Sequence, residues 1–454
     1  MEIIKAPEKI RYASIGKQTY IEKKRYRLIN YCIKVDIDNG TLLYNTLSGE
    51  LIWLSLDEKK VLIENNQSSY LLKTLTEKWF FVPVDYDEKR LADQINSLIK
   101  ILAERNTLLK PITKYTILTT TDCNARCFYC YEHGRKKINM TNEVAKDAAQ
   151  YIIKSCLGNP VSFRWFGGEP LYNYEVIDIF CGLLSKNNIE YKSSMVSNGY
   201  LFDKQIINKY KSIWKLDKVQ ITLDGTEEIY NKCKAFIYKN ENPFNRVIDN
   251  IENLLDNNIN VKVRINMDDH NSHDLFNLVD FLHQKFGRYY NFSVYAHLLF
   301  ENTDQKRKTR TIEEYKSLAS EFNLLVNYIE NKKIHVKYTL DNFLRYNQCM
   351  ADNDNAVVIL PDGSLGKCEH FSESEFFGSI YKNDIDISVI NKFKERRTSD
   401  TNCFNCALYP ACIRLKMCPD ISKNCETYNK KIYINGVKQR IINTFQEYMK
   451  KGVN

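Results

Sequence analysis

The sequence predicts an α/β protein: a partial (β/α)6, TIM-like barrel, preceded by a winged-helix-like module and followed by a cysteine-rich segment. Three observations carry this. From about Tyr115 the chain alternates strand and helix six times. Before that, a hairpin signal and a few short helical stretches fill about 105 residues. After about 330 the alternation fades, and seven of the chain's 14 cysteines fall between 349 and 425. At ~150 residues per domain, 454 residues suit three domains, expected at 1–105, 106–330 and 331–454.

In order along the chain, Asp38-Asn39-Gly40 sits between YCIKVDI and TLLYN, where Asn-Gly predicts a tight turn with positive φ. A helix start follows at Ser55, with Glu58 as capping-box partner. Two short helical stretches and the extended WFFVPVDY complete the first module. Strands are expected at 115–120, 161–166, 190–196, 218–223, 260–265 and 291–297, with amphipathic helices between. Over 244–258, Val247, Ile248, Ile251, Leu254 and Leu255 share one helical face. Such alternation predicts parallel strands, open or partly closed into a barrel, with active residues at the strands' C-terminal ends. The last segment has no obvious apolar core, so metal cross-links are expected to supply what packing does not.

Composition sets the class. Hydrophobic residues at 44% and charged residues at 27% are ordinary for a globular chain and exclude a disordered, collagenous or membrane-embedded one. No run of ~18 uncharged apolar residues predicts a membrane span. The opening MEIIKAPEKIRYAS lacks an export signal, so the cytoplasm is expected. Lys and Arg number 65 against 56 Asp and Glu, dispersed without a basic stripe. Neither nucleic acid nor membrane is an expected partner, while the net charge favours acidic partners, such as an acidic peptide, without specifying one. In a chain with no export signal, clustered cysteines point to metal or redox chemistry.

Cys123, Cys127 and Cys130 stand as C-x3-C-x2-C on one loop directly after the first barrel strand. Three thiolates from one loop suit three irons of a [4Fe–4S] cube, leaving the fourth iron open to substrate. A zinc knuckle completed by His133 is the alternative, in a spacing unusual for zinc.

The loop resembles that of the radical S-adenosylmethionine (SAM) superfamily, C-x3-C-x-aromatic-C, with Tyr129 at the aromatic position. The resemblance runs through the barrel: Gly167-Gly168-Glu169-Pro170 after the second strand looks like the family's GGEP segment, Ser197-Asn198-Gly199 follows the third, Thr222-Leu223-Asp224-Gly225 the fourth, and Arg264-Ile265-Asn266 ends the fifth. It implies that Tyr129, Gly167, Gly168, Glu169, Ser197, Asn198, Thr222 and Arg264 contact SAM. It also implies a 5′-deoxyadenosyl radical that abstracts hydrogen from a substrate carbon, with an external flavodoxin- or ferredoxin-like electron donor. Relatives of the peptide-modifying branch carry an HDxxR-like run after the Asp-Gly; here it reads Tyr230-Asn231-Lys232-Cys233-Lys234, and lysine is a poor bidentate substitute for arginine.

Cys349, Cys368, Cys403, Cys406, Cys412, Cys418 and Cys425 resemble the seven-cysteine SPASM extension, which carries two auxiliary [4Fe–4S] clusters; the spacing departs only before Cys418, five residues instead of three. The resemblance implies that Cys403, Cys406, Cys412 and Cys425 hold the outer cluster and that Cys349, Cys368 and Cys418 hold the inner one, three clusters in all with the first loop. One or two structural zinc sites are the alternative. Cys32, Cys156, Cys181 and Cys233 are expected to be small buried hydrophobes.

In this branch the substrates are peptides or protein side chains. The N-terminal module resembles the precursor-recognition element of peptide maturases, which adds a leader peptide as an extra strand. A thioether or carbon–carbon crosslink in a ribosomally made peptide is therefore the first expectation. Oxidation of a sulfatase Cys or Ser to formylglycine is the second, and there Glu369 occupies the place of a catalytic Asp. A non-catalytic iron–sulfur electron carrier is the reading from another class.

Overall fold

The computed structural model describes the chain except residues 64–69, 106–110, 133, 205–206, 239–240, 300–310, 337, 341–348, 371–374, 383, 396–400, 413–414, 419–429 and 452–454. The N-terminal part holds β1 (Glu2–Lys5), α1 (Lys9–Ile15), β2 (Tyr26–Leu28), β3 (Cys32–Ile37), β4 (Gly40–Asn45), β5 (Leu51–Ser55), α2 (Leu56–Ile63), α3 (Tyr70–Glu77), β6 (Phe81–Pro83) and α4 (Glu88–Arg105). Four strands form an antiparallel sheet in the order β1-β5-β4-β3, and β2 pairs with β6.

The hairpin falls where the sequence places it, with Ile37 opposite Gly40, but neither Asn39 nor Gly40 takes a positive φ. Gly40 is required for another reason. A Cβ there would lie 2.1 Å from the Leu54 carbonyl oxygen and 2.6 Å from Trp53 Nε1, so only glycine lets β5 approach. The capping box is present: Ser55 N–H donates to Glu58 at 2.9 Å and Glu58 N–H to Ser55 Oγ at 3.3 Å.

The barrel strands are β7 (Lys114–Thr120), β8 (Val161–Gly167), β9 (Tyr191–Ser197), β10 (Leu216–Thr222), β11 (Asn260–Met267) and β12 (Phe292–Leu298), each within two residues of its expected bounds. They are connected through α5 (Asn142–Ser155), α6 (Glu175–Lys186), α7 (Ile207–Ser212), α8 (Glu227–Lys234), α9 (Pro243–Asp256) and α10 (Leu275–Phe286). All pair in parallel and in sequence order, β7 to β12. α9 is the helix expected at 244–258; Pro243 occupies its first turn, the Asn242 side chain caps it, and its five face residues are buried.

Strand alternation gives the sheet two unlike faces. Phe163, Trp165, Val219, Ile221, Val261, Val263 and Ile265 are buried beneath the helices. Their neighbours Arg164, Ser194, Lys218, Gln220, Thr222, Lys262, Arg264 and Asn266 line the opposite, concave side.

After α11 (Ile312–Asn331), β13 (Ala356–Ile359) pairs in parallel with β7, and β14 (Ser364–Gly366) and β15 (Gly378–Ser379) continue the same sheet antiparallel. The cysteine-rich segment therefore does own apolar packing. Val357, Ile359, Leu365, Val389 and Phe393, the last two on α12 (Ile387–Lys394), join the barrel core. Its far end turns to the N-terminal part. α13 (Lys430–Lys451) lays Val437, Ile441 and Phe445 on Ile33, Val35, Leu42 and Tyr44. Cys403, Phe404 and Cys406 pack on a second core containing Tyr31, Trp79 and Leu91. Tyr31 donates to the Phe404 carbonyl at 3.1 Å and Tyr409 to Asp93 at 2.7 Å. The two ends of the chain thus share apolar cores. Among the described residues no helix is long and apolar enough to cross a membrane.

Candidate functional site

The cysteine loop leaves β7 and is clamped by the end of β8. Gly168 N–H donates to the Thr120 carbonyl at 3.0 Å and Glu169 N–H to the Asp122 carbonyl at 3.0 Å. A Cβ on Gly167 or Gly168 would sit 2.1 Å from the Thr120 or Asp122 carbonyl oxygen. The glycines are therefore dictated by the approach of one loop to another, and that approach fixes where the thiols stand.

Glu169 is fully buried. It accepts from Ser197 Oγ at 2.9 Å, Leu171 N–H at 3.2 Å and Asn198 N–H at 2.8 Å. Burial pushes its carboxyl up to about 7, against these donors. Ser197 also accepts from Gly199 N–H at 2.9 Å, so its hydroxyl is used inside the protein. Asn198 donates to Asn124 at 2.6 Å and lies 3.7 Å from Cys123 Sγ.

Burial raises all three thiols, Cys123 to about 12 and Cys130 to about 11, and Cys127 adds to the rise of the other two. Among the described residues no three His, Cys, Asp or Glu side chains converge tightly enough for a single metal ion. In a cube each thiolate instead takes a separate iron. Beside them, Asn124 Nδ2 and Asp224 Oδ1 are buried without a hydrogen-bond partner, a donor and an acceptor suited to a zwitterionic ligand. The donor set fits a cluster with an amino-acid moiety at its side. His133 lies outside the described residues.

Sequence reasoning undervalued Lys234. Its Nζ lies 2.9 Å from Asp224 Oδ2 and 2.6 Å from the Tyr129 hydroxyl, which donates to the same carboxylate oxygen at 2.5 Å. The Lys234 and Asp224 side chains are 3% and 0% exposed. Burial opposes the ammonium charge, but Asp224 and Cys127 outweigh it and hold Lys234 above the usual lysine range. α8 thus delivers one buried cation to the thiol loop, a role one charge can fill without a bidentate fork.

Tyr129, Thr222, Arg264 and Glu369 meet in one cavity of about 400 Å³, together with Tyr131, His370 and the polar face of the sheet. Gly167, Gly168, Glu169, Ser197 and Asn198 are not among its lining residues. Arg264 Nε donates to Asn266 Oδ1 at 2.8 Å. The second cysteine segment closes the cavity: the His370 ring meets Tyr131 at 4.5 Å, and Arg135 donates to the His370 carbonyl at 3.2 Å. Cys368 is raised by burial and by Glu369, with smaller contributions from Cys349 and Cys418. Cys403 and Cys406 share a turn, Cys406 N–H donating to the Cys403 carbonyl at 3.0 Å, and Cys412 N–H donates to the Tyr409 carbonyl at 3.3 Å. Cys425, the last expected ligand, lies outside the described residues. Of the remaining cysteines, Cys156, Cys181 and Cys233 are buried and Cys32 is half-buried.

Residues 117–282 match the model of the Radical SAM superfamily. An uncharacterised protein of Methanocaldococcus jannaschii is 34% identical over 120 residues, 25% of this chain and 40% of that protein. A probable GTP 3′,8-cyclase of Methanococcus maripaludis is 30% identical over 132 residues, 28% and 41%. The chain spans about two fifths of the length of these relatives. The radical SAM cyclopropyl synthase TigE of Paramaledivibacter caminithermalis is 22% identical over 86% of this chain and 82% of its own. Among solved structures, anSMEcpe with bound AdoMet superposes with TM-score 0.57 at 16% identity over 75% of this chain and 98% of that one. SuiB of Streptococcus suis, bound to precursor peptide SuiA, gives 0.52 at 13% identity over 88% and 100%. These two likenesses show the fold.

Proposed function

We propose, from the premise that this chain carries a radical SAM enzyme domain at residues 117–282, that it installs a post-translational crosslink, a thioether or carbon–carbon bond, in a ribosomally made peptide. One observation carries the reading: the cavity is walled by Tyr129 of the first cysteine loop and by Glu369 and His370 of the second. A substrate held there touches both segments at once. The reading assigns Cys123, Cys127 and Cys130 to a SAM-binding [4Fe–4S] cluster, and the SPASM-type cysteines to two auxiliary clusters. When bound, the first cluster supplies the electron that cleaves SAM and so begins hydrogen abstraction. The chain's own residues do the rest: Lys234 and Asp224 set the charge beside the thiols, Glu169 is pinned by Ser197 and Asn198, and the buried apolar face of the sheet holds the strand ends rigid.

The outer edge of β3 has no strand partner among the described residues, which supports leader binding by strand addition. SuiB, solved with its precursor peptide, follows 88% of this chain against 75% for anSMEcpe, and TigE, a cyclopropyl synthase, aligns over most of both chains. The precursor peptide bound to SuiB supports a peptide substrate. Cytoplasmic placement and an external flavodoxin- or ferredoxin-like donor belong to the same reading.

The test is anaerobic reduction of the reconstituted full chain with SAM and each short peptide found encoded near its gene. Formation of 5′-deoxyadenosine, a loss of two hydrogens from the peptide, and no reaction by Cys127→Ala are expected. Absence of 5′-deoxyadenosine under every condition returns the protein to the electron-carrier reading.

A further inference from the structure

The cavity is markedly unbalanced in charge. Arg164, Lys218, Lys262 and Arg264 line it, and Glu369 is the sole carboxylate among its described lining residues. None of the four cations forms an ion pair among the described residues. Lys262 donates to the Tyr338 hydroxyl at 2.6 Å and lies 4.9 Å from the centre of the Tyr295 ring. Burial holds Tyr338 above the usual tyrosine range, so that hydroxyl is neutral. Burial, and for Lys218 the nearby Lys262 and Arg164, pull both lysines below the usual range. Cations gathered against such opposition ask for an anion from outside the chain.

Two of the four are set aside: Arg264 is an expected SAM contact, and Arg164 lies on β8, two strands from β10. Lys218 and Lys262 remain. They sit on adjacent strands; Gln220 is opposite Lys262 in the β10–β11 register, and Lys218 is one inward position along β10. The two residues are therefore diagonal neighbours on one side of the sheet, with Cα atoms roughly 8 Å apart at ~4.8 Å between strands and ~3.3 Å per residue. The strand N–H groups here are used in the ladder, so no main-chain cradle for a phosphate is formed. Separate side-chain cations suit a carboxylate.

We propose that Lys218, which is exposed, and Lys262, which is half-buried, form a carboxylate-binding site on the polar side of the sheet, so that the peptide modified by this enzyme carries an Asp or Glu side chain near the residue that reacts. This rests on the peptide-modifying reading above. The distance from Lys218 to Thr222 along β10 is about 13 Å at ~3.3 Å per residue, so an extended peptide places its acidic residue within about four positions of the reacting one.

The test uses the reconstituted full chain with SAM and three fluorescein-labelled Gly-Ser peptides, bearing a run of Glu, Gln or Lys, read by anisotropy. The Glu probe should bind at low salt and weaken as salt rises, while the Gln probe should not bind. K218Q/K262Q should weaken the Glu probe about tenfold or more, whereas K146Q/K154Q, on the exposed side of α5, should not. K218E/K262E should instead bind the Lys probe, a reversal that a loss of folding cannot produce. Equal binding of Glu and Gln probes, indifference to K218Q/K262Q, or displacement by tripolyphosphate at lower concentration than by free Glu peptide each overturns the proposal, the last in favour of a nucleotide. SAM cleavage measured on the same wild-type preparation separates the two readings: cleavage without charge-dependent binding defeats this inference alone.

Discussion

Replacing Lys234 by methionine removes the cation from the buried Asp224–Tyr129–Lys234 group while keeping the stem's volume. At 2.9 Å and an effective dielectric constant near 20, the lost attraction is roughly 6 kcal/mol. Dehydration of the ammonium in the native protein offsets part of this, and breaking a buried pair typically costs about 3–5 kcal/mol because the surviving charge is left uncompensated. At ~2–4 °C per kcal/mol for a domain of this size, Lys234→Met should lower the midpoint of thermal unfolding by about 6–20 °C. Removing both charges, in Asp224→Asn/Lys234→Met, should recover most of the loss, since no lone buried charge remains. The assay is thermal melting of the anaerobically reconstituted full chain, followed by far-UV circular dichroism and by visible cluster absorption. A single-variant shift under about 2 °C, or a double variant that falls as far as the two singles added, would refute the buried-pair account.

Two further outcomes are expected. Gly168→Ala drives a Cβ to 2.1 Å from the Asp122 carbonyl oxygen, so the thiol loop must shift and iron bound per chain should fall. Gly182→Ala, in α6 with open space around its Cβ, should keep its iron and gain about 0.5–1 kcal/mol. Burial raises Glu330 from 4.5 to about 7. Its raised folded value means that folding takes up a proton between those pH values, so its contribution is full below 4.5 and lost as pH rises through 7. Glu330→Gln should therefore outlast the wild type in urea at pH 8, by at most about 3 kcal/mol, and match it below pH 4.5; a constant gap across pH would contradict this.

The local reading held where the signal was local. Each strand lies within two residues of its expected bounds, α9 follows from its apolar period, and the Ser55 cap from a four-residue pattern. The Asn39-Gly40 turn shows the limit: the hairpin was legible, but the reason for Gly40 lay in β5, a strand the turn does not contain. The chain termini show it again, since nothing in residues 1–55 announces that Ile441 and Phe445 will cover them.

What the sequence alone determined, then, is the order of the elements and the chemistry of each loop, because period and spacing are properties of neighbours along a chain. The cysteine triplet, the glycines after β8 and the late cysteine series belong to that class. The structure alone decided which charges share a space. Arg164, Lys218 and Lys262 are scattered in the sequence and looked like dispersed surface basicity. Parallel pairing set Lys218 and Lys262 on adjacent strands and Arg164 two strands away, and the two-residue alternation turned all three to one side of the sheet. Lys234 likewise reached Asp224 because α8 folds back over the loop after β10. Proximity between distant residues is fixed by the packing of the sheet, and no local pattern encodes it.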